Sequence, residues 1–421
     1  MRASILILIC ALPLLSPAAI AQGPTAPPPR PASVVSEAMQ RLWKGDYLWA
    51  IDALESAAFD STGKVTDDFS YQMWYQFRPM IGGHAQPPIL RPGAESLAAG
   101  DAARLRAGKP HDALAAIRQA AAGTSIVILN EAHHSPRDRA FALQVARALR
   151  PLGYTILAAE TFSTNVDPVP QMERDGYPRL NSGGYLKDPV FADFVRQSLA
   201  LGYRPASYEQ RPSQYPAGGG IPAREKAQAD NLAAIIAANP GAKLLIYVGF
   251  SHAMEAPVGQ GGEMLEWMAA RLKKQTGIDP LTIDQANVGE ASLHRWGREA
   301  NAIVAPRIRT PAVVRLNGTA VNIGEFGHAV DLQVYHPVTR FVHGRPAWLK
   351  QLGRTPRPVP ENLLPPSGRA LVQAFLARED KEAIPIDQVL AEVGKPVPYL
   401  MLPNQAVRYR VQVADGAGAV K

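Results

Sequence analysis

The stretch from about residue 123 to residue 285 alternates apolar strand-length runs with amphipathic helical patterns. This pattern constrains the fold more than any other feature of the chain. Residues 125–129, 154–159 and 243–248 are the strongest apolar runs, and helical segments separate them. Continuously apolar strands are typical of a parallel sheet that is covered by helices on both faces. We therefore predict an α/β fold with a largely parallel sheet over residues 122–290.

The two flanking regions have different patterns. Residues 33–121 carry apolar residues at helical spacing. The Gly45-Asp46 turn resembles that of a tetratricopeptide-type helical hairpin, with a weaker echo at 108–114. Two imperfect copies favour a helical region packed on the main domain over a repeat array. Residues 291–421 contain short apolar strands between Pro/Gly-rich turns, which predicts a small β-rich C-terminal domain.

The N-terminus has the pattern of a secretory signal peptide over residues 1–21. Arg2 precedes an apolar run, and Ala19-Ile20-Ala21 forms a small-residue cleavage site before Gln22. The apolar run is much shorter than the roughly 20 residues that span a bilayer, so we expect no stable membrane anchor. A proline-rich spacer follows at residues 22–32. The protein is therefore expected to be periplasmic or secreted.

Composition removes several classes of function. The only cysteine, Cys10, lies within the predicted signal peptide, so the mature chain has no thiolate nucleophile and no cysteine ligand for a metal. The formal net charge is +7, but the basic residues are scattered and no run of five occurs. This distribution argues against nucleic acid as a partner.

Acidic, aromatic and imidazole side chains follow four of the predicted strands. Ligands of open parallel sheets bind outside the carboxyl ends of the strands. The residues at these ends are Glu131, His133 and His134 after the first strand, Glu160 after the second, Tyr208 and Glu209 after the third, and His252 after the fourth. We predict that Glu131, His133, Glu160 and His252 form a catalytic site. His134, Arg139, Tyr208 and Glu209 are predicted to support it.

The residue types fit acid–base chemistry. A histidine can accept and return a proton near neutral pH, and a neighbouring carboxylate can fix its tautomer or stabilise its charged form. The same two histidines and two glutamates are also ligand types for zinc or manganese, so a divalent metal site is an alternative. Arg137 and Arg139 open the following helix, where they oppose the helix dipole. An anion-facing role would explain their position.

Together these motifs resemble the erythromycin esterase-like, ChaN-like and Tiki-like superfamily. The resemblance covers residues 123–285 and rests on Asn130-Glu131-Ala132-His133-His134, on Glu160 and on Gly249-Phe250-Ser251-His252. Asn130 departs from the glycine that is usual before the glutamate. His133 has the spacing of the ChaN-like branch and His134 that of the esterase branch. The resemblance implies an α/β fold whose functional residues lie on one edge of the sheet.

The branches of this superfamily imply different reactions. The esterase branch implies metal-free attack of water on an ester or lactone, the Tiki branch metal-dependent proteolysis, and the ChaN branch haem binding. Our leading hypothesis is a hydrolase of a small-molecule or peptide substrate. In it, His252 is the general base, oriented by Glu160 or Glu131, while His133 polarises the carbonyl and Arg139 assists.

Two other hypotheses use the same residues differently. One is a haem- or iron-binding protein with His133 or His252 as the ligand. The other is a scaffold whose N-terminal helices bind a partner protein and whose former catalytic centre is idle.

Overall fold

A computed structural model describes residues 33–82, 95–215, 219–260 and 263–413. The predicted signal peptide and spacer lie outside the described residues. The helices are α1 Val34–Trp43, α2 Tyr47–Ala58, α3 Asp68–Phe77, α4 Ala99–Ala107, α5 Ala113–Ala121, α6 Pro136–Leu149, α7 Val169–Asp175, α8 Pro189–Ala200, α9 Gly220–Ala238, α10 Met268–Thr276 and α11 Arg295–Val304. Within the described ranges, no helix has the length and apolar character needed to cross a membrane.

The strands fall into one large parallel sheet and several small antiparallel ones. Their bounds are β1 Lys109–Asp112, β2 Ile126–Glu131, β3 Tyr154–Ala159, β4 Arg204–Ala206, β5 Lys243–Gly249, β6 Val258–Gln260, β7 Glu263–Leu265, β8 Leu281–Asp284, β9 Ala312–Leu316, β10 Thr319–Ala320, β11 Leu332–Gln333, β12 Phe341–Val342, β13 Arg345–Pro346, β14 Thr355–Pro358, β15 Arg369–Leu376, β16 Asp387–Glu392, β17 Tyr399–Leu402 and β18 Val407–Val413.

The large sheet has six strands in the order β11-β8-β2-β5-β3-β4, and every neighbouring pair is parallel. The chain passes from β2 to β3, and β5 later inserts between them. The predicted α/β fold class is thereby confirmed. Because β2, β5 and β3 are adjacent, their carboxyl ends lie side by side at one edge of the sheet.

The two faces of this sheet are buried against different helices. Val127 and Leu129 of β2 belong to the core formed with α5, α6 and α8. Ile126 and Ile128 belong to the core formed with α9 and α10. Successive side chains of a strand point to opposite faces, so apolar residues at every position are needed to fill both cores. This is the physical reason for the continuous apolar runs in the sequence.

Both flanking regions are joined to the central part of the chain. The C-terminal region begins with α11 and supplies β11, the edge strand beside β8. β1, from the N-terminal region, pairs with β9. The apolar residues of α1–α3 pack against one another and against Leu371 of β15, and the other face of β15 belongs to a separate small core.

One helix boundary differs from the sequence pattern. The pattern of residues 262–276 predicts a helix from residue 262, but β6 pairs with β7 before α10, which begins at Met268. The weaker echo near residue 108 does not form a helical hairpin turn, because Gly108 leads from α4 into β1. There a Cβ would lie 3.1 Å from the carbonyl oxygen of Arg104, so this glycine permits close packing of backbone segments.

Candidate active site

Three adjacent strands deliver the predicted catalytic side chains to one edge of the sheet. β2 ends at Glu131, which lies opposite Gly249 at the end of β5. Glu160 follows β3 directly, His133 lies two residues beyond β2, and His252 lies in the short 3₁₀ turn after β5. The parallel arrangement therefore brings together four residues that are far apart in sequence.

Glu131 and His133 form a buried carboxylate–imidazole pair. Nδ1 of His133 is 2.9 Å from Oε1 of Glu131, and the hydroxyl of Tyr247 donates to Oε2 over 2.9 Å. Burial alone would raise the pKa of Glu131, but Arg139 and His133 lower it below its ordinary value. The charged carboxylate accepts a hydrogen bond from Nδ1–H of His133, so Nε2 is the ring nitrogen that is available for chemistry. The ring stacks on Tyr185 with centroids 3.9 Å apart.

Arg139 anchors this pair from the helix side. Its guanidinium donates two hydrogen bonds to Glu131, over 2.7 and 2.9 Å, and one to Asp188 over 2.6 Å. It also donates to the backbone carbonyl of His133. We expected Arg139 to face an anion bound in the site. Instead it is only 1% exposed, because two carboxylates of the chain surround it.

His252 forms a second carboxylate–imidazole pair, with Glu225 of α9. Nδ1 of His252 is 2.9 Å from the Glu225 carboxylate, and Nε2 is 3.1 Å from Nη1 of Arg224. A guanidinium can only donate, so Nε2 must be the acceptor and Nδ1 must carry the proton. Burial alone would lower the pKa of His252, but Glu225 and Glu160 raise it above its ordinary value.

Glu160 lies between the two pairs. Its Oε1 is 3.5 Å from Nε2 of His252 and 2.5 Å from Nη2 of Arg224. Its Oε2 accepts a hydrogen bond from the backbone N–H of Gly249 over 2.5 Å. Burial alone would raise the pKa of Glu160, but His252 and Arg224 lower it strongly, so the carboxylate is charged.

Arg224 and Glu209 form the more solvent-accessible side of the cluster. Their side chains are 11% and 17% exposed, whereas that of His252 is 1% exposed. Nε of Arg224 donates to Oε1 of Glu209 over 3.1 Å, and Gln228 donates to Oε2 over 2.9 Å. Arg224 is therefore the cation that lies between the imidazole of His252 and the solvent.

Two predicted supporting residues point elsewhere. Nε2 of His134 donates to the carbonyl of Ala291 over 2.8 Å, and burial lowers the pKa of His134 to about 4. His133, and not His134, is thus the histidine that faces the site. Tyr208 lies in the core beneath α9, where its hydroxyl approaches the carbonyl of Tyr247 at 3.4 Å.

Gly249 permits the close approach of the two pairs. A Cβ at this position would lie 2.6 Å from Nε2 of His133 and 3.1 Å from Oε2 of Glu160. The backbone of Gly249 is extended, with φ −85°, so alanine could adopt it without strain. Glycine is required here because there is no room for a Cβ, and not because of its backbone conformation.

Gly249→Ala is therefore expected to displace His133 and to abolish most of the predicted hydrolase activity while the protein remains folded. The measurement is kcat/KM together with the melting temperature. Gly100→Ala is the matched control, because a Cβ there meets nothing within 4 Å. Full activity of Gly249→Ala would show that the position of the His133 ring is unimportant.

The turn after β5 is held in an unusual conformation. Phe250 has φ 39°, a left-handed value that costs a residue with a side chain about 1–3 kcal/mol. Nδ2 of Asn130 donates to the Phe250 carbonyl over 2.9 Å and to Asp284 over 2.9 Å. Asn130, which replaces the glycine usual in the resembled motif, therefore holds the turn that carries His252.

Arg224 and Glu225 were not predicted as site residues, because they lie in a helix and not at a strand end. The sequence does contain a signal for these residues, since a helix that follows a parallel strand starts at the carboxyl edge of the sheet. α9 is the helix after β4, and Arg224 and Glu225 lie in its first two turns. Asp188, the N-cap of α8 and the partner of Arg139, was missed for the same reason.

Among the described residues, no group of three or more histidine, aspartate or glutamate side chains is placed to hold a metal ion. The carboxylates of the site are turned to other partners. Glu131 binds Arg139, Glu160 binds Arg224, and Glu225 binds His252 and the backbone N–H of Met268.

No family model and no curated protein matches the sequence. Solved structures of bacterial toxins show a partial likeness. The first is the RRSP effector domain of a MARTX toxin from Vibrio vulnificus CMCP6, with 17% identity and TM-score 0.32 over 59% of this chain and 55% of that one. Two structures described as bacterial protein toxins have 15% and 13% identity and TM-scores of 0.31 and 0.35 over 59% of this chain. The chain spans about half the length of each of these structures.

Proposed function

We propose that this protein is a hydrolase that directs water onto an ester, lactone or amide carbonyl. One observation carries the proposal: two histidines, each held at Nδ1 by a buried glutamate, meet on either side of Glu160 at the carboxyl edge of the sheet. Paired imidazoles of fixed tautomer are suited to removing a proton from water and returning one to a leaving group. Of the resembled branches, the esterase branch implies the same class of reaction, whereas the spacing of His133 is that of the ChaN-like branch.

His252 is the general base in this proposal. Glu225 fixes the Nδ1–H tautomer and stabilises the imidazolium that forms when Nε2 takes a proton from water, as an orienting carboxylate does in other carboxylate–imidazole pairs. Glu160 lies 3.5 Å from Nε2 and adds to the stabilisation of the imidazolium. Glu225 therefore takes the orienting role that was predicted for Glu160 or Glu131.

His133 is the partner that acts on the substrate. Glu131 holds its Nδ1, so Nε2 is the atom that would polarise the carbonyl or protonate the leaving group. Stacking on Tyr185 and the Arg139 bond to its backbone fix the ring. A catalytic group held this rigidly needs little reorganisation in the transition state.

Arg224 replaces Arg139 as the candidate for stabilising the oxyanion. It lies beside Nε2 of His252 and is partly exposed, whereas Arg139 is enclosed. In this structure Arg224 donates to Nε2 of His252, the nitrogen that must accept the proton. Binding of a carbonyl oxygen would offer the guanidinium a new acceptor and free Nε2 for water.

A panel of esters, lactones and peptides, assayed with and without a chelator, tests the reaction class. We expect turnover of an ester or lactone that a chelator does not change, because the chain's own residues carry the proton transfers. Loss of turnover on chelation would overturn the metal-free route in favour of metal-assisted hydrolysis. An absorbance scan completes the test, since a Soret band without turnover would replace the proposal by haem binding.

A further inference from the structure

A cleft lies at the opposite edge of the sheet from the candidate active site. It is bordered by α7, the end of α8 and the start of β4, and it encloses about 580 Å³. Its walls include Met172, Leu199 and Tyr203, and its cations are Arg196, Arg204 and Arg378. Arg204 is the first residue of β4, at the amino end of the strand. The cleft is therefore separate from the residues in the proposed hydrolase mechanism.

Arg196 carries a donor without an acceptor. Its Nε and Nη2 donate to the two oxygens of Glu379 over 2.8 Å each, yet Nη1 has no hydrogen-bond partner among the described residues. The side chain is only 4% exposed. A buried N–H without a partner destabilises the folded protein, so an acceptor that reached Nη1 from the cleft would be stabilising.

The charge of the cleft favours an anionic acceptor. Arg378 is exposed and makes no hydrogen bond or ion pair with the described part of the chain, and Arg204 donates to Asn239 through Nη2 alone. Glu173 and Asp175 also line the cleft. Asp175 is already paired with arginines on its own side of the cleft, Arg174 and Arg179. Arg196 is already paired with Glu379, so the guanidinium groups of Arg204 and Arg378, which have no carboxylate partner among the described residues, face one exposed carboxylate, that of Glu173.

We propose that this cleft binds a small organic anion through a carboxylate or phosphate group. Guanidinium groups match the geometry of both groups with paired charge-assisted hydrogen bonds. The apolar walls would hold the carbon skeleton of the ligand, as in most small-molecule sites. Binding here does not depend on hydrolysis at the other edge of the sheet.

Titration of the purified protein with citrate and with inorganic phosphate tests the proposal, with chloride at equal ionic strength as the reference. We expect a saturable rise in melting temperature with at least one of the two anions. Arg204→Gln and Arg378→Gln should each weaken that binding about tenfold, since each removes a hydrogen-bond donor to a charged group. Arg118→Gln, which removes an exposed cation from α5, is the matched control.

The outcomes separate the ligand classes and the two proposals. Saturation by citrate alone assigns a carboxylate, and saturation by phosphate alone assigns a phosphate. His252→Asn should bind the anion as the unaltered protein does, even if no hydrolysis is ever found. The inference is overturned if neither anion gives a saturable shift, or if the Arg204 and Arg378 variants bind as the Arg118 variant does.

Discussion

Replacing His252 by asparagine is expected to lower kcat/KM for the best ester substrate by about 10²–10⁴-fold, the usual contribution of a general base. The amide of asparagine can still donate to Glu225, but it cannot accept a proton near neutral pH. The measurement is steady-state kinetics, together with the melting temperature to establish that the protein is folded. His111→Asn is the matched control, because His111 is exposed on β1.

The pH profile separates a base from a merely structural histidine. His252 acts as a base only when neutral, and Glu225 and Glu160 raise its pKa in spite of burial. Activity should therefore rise with pH, with a midpoint above 6.5, the ordinary value for histidine. Glu225→Gln removes the carboxylate that raises this pKa most, so its midpoint should move to lower pH while its maximal rate falls. A midpoint unchanged in Glu225→Gln would contradict the assignment of His252 as the base.

Replacing Arg139 by methionine should lower the free energy of unfolding by about 3–5 kcal/mol, because it leaves two buried carboxylates without their cation. Glu131 and Asp188 both depend on this guanidinium and are 2% and 1% exposed. Urea unfolding measures the loss. Arg118→Met, on the surface, should change stability by no more than about 0.5 kcal/mol.

A second substitution tests the cause of that loss. Adding Glu131→Gln to Arg139→Met removes one of the uncompensated charges, so part of the stability should return. The coupling energy between the two sites follows from the double-mutant cycle. A loss below about 1 kcal/mol in the single variant would mean that Arg139 is not the anchor of the site.

Site residues could be predicted from the sequence where the backbone alone determines their position. The strand ends that carry Glu131, Glu160 and His252 could be found because parallel strands share one carboxyl edge, and the apolar runs mark the strands clearly. The choice between His133 and His134 could not be made, because it depends on which ring nitrogen finds a carboxylate and which finds a backbone carbonyl. No spacing rule contains that information.

Contacts between distant elements could not be predicted from the sequence, because they depend on the tertiary structure. The sequence pattern is typical of an exposed cation for Arg139, at the start of a helix. Only the tertiary structure places Asp188 beside it. The sequence predicts a strand near residues 330–335, but only the tertiary structure shows that β11 joins the large sheet beside β8. The roles of Arg224 and Glu225 likewise depend on how α9 lies over the sheet.

The opposed faces of β2 also restrict how this chain can change during evolution. Asn130 turns towards Asp284 and the Phe250 carbonyl, and Glu131 turns to the opposite side, towards Tyr247 and Arg139. Gain or loss of a single codon within β2 would exchange the two directions and put the carboxylate where the amide is needed. Homologous chains that keep this chemistry should therefore vary in length at their surface loops, while the six-residue interval of β2 stays constant.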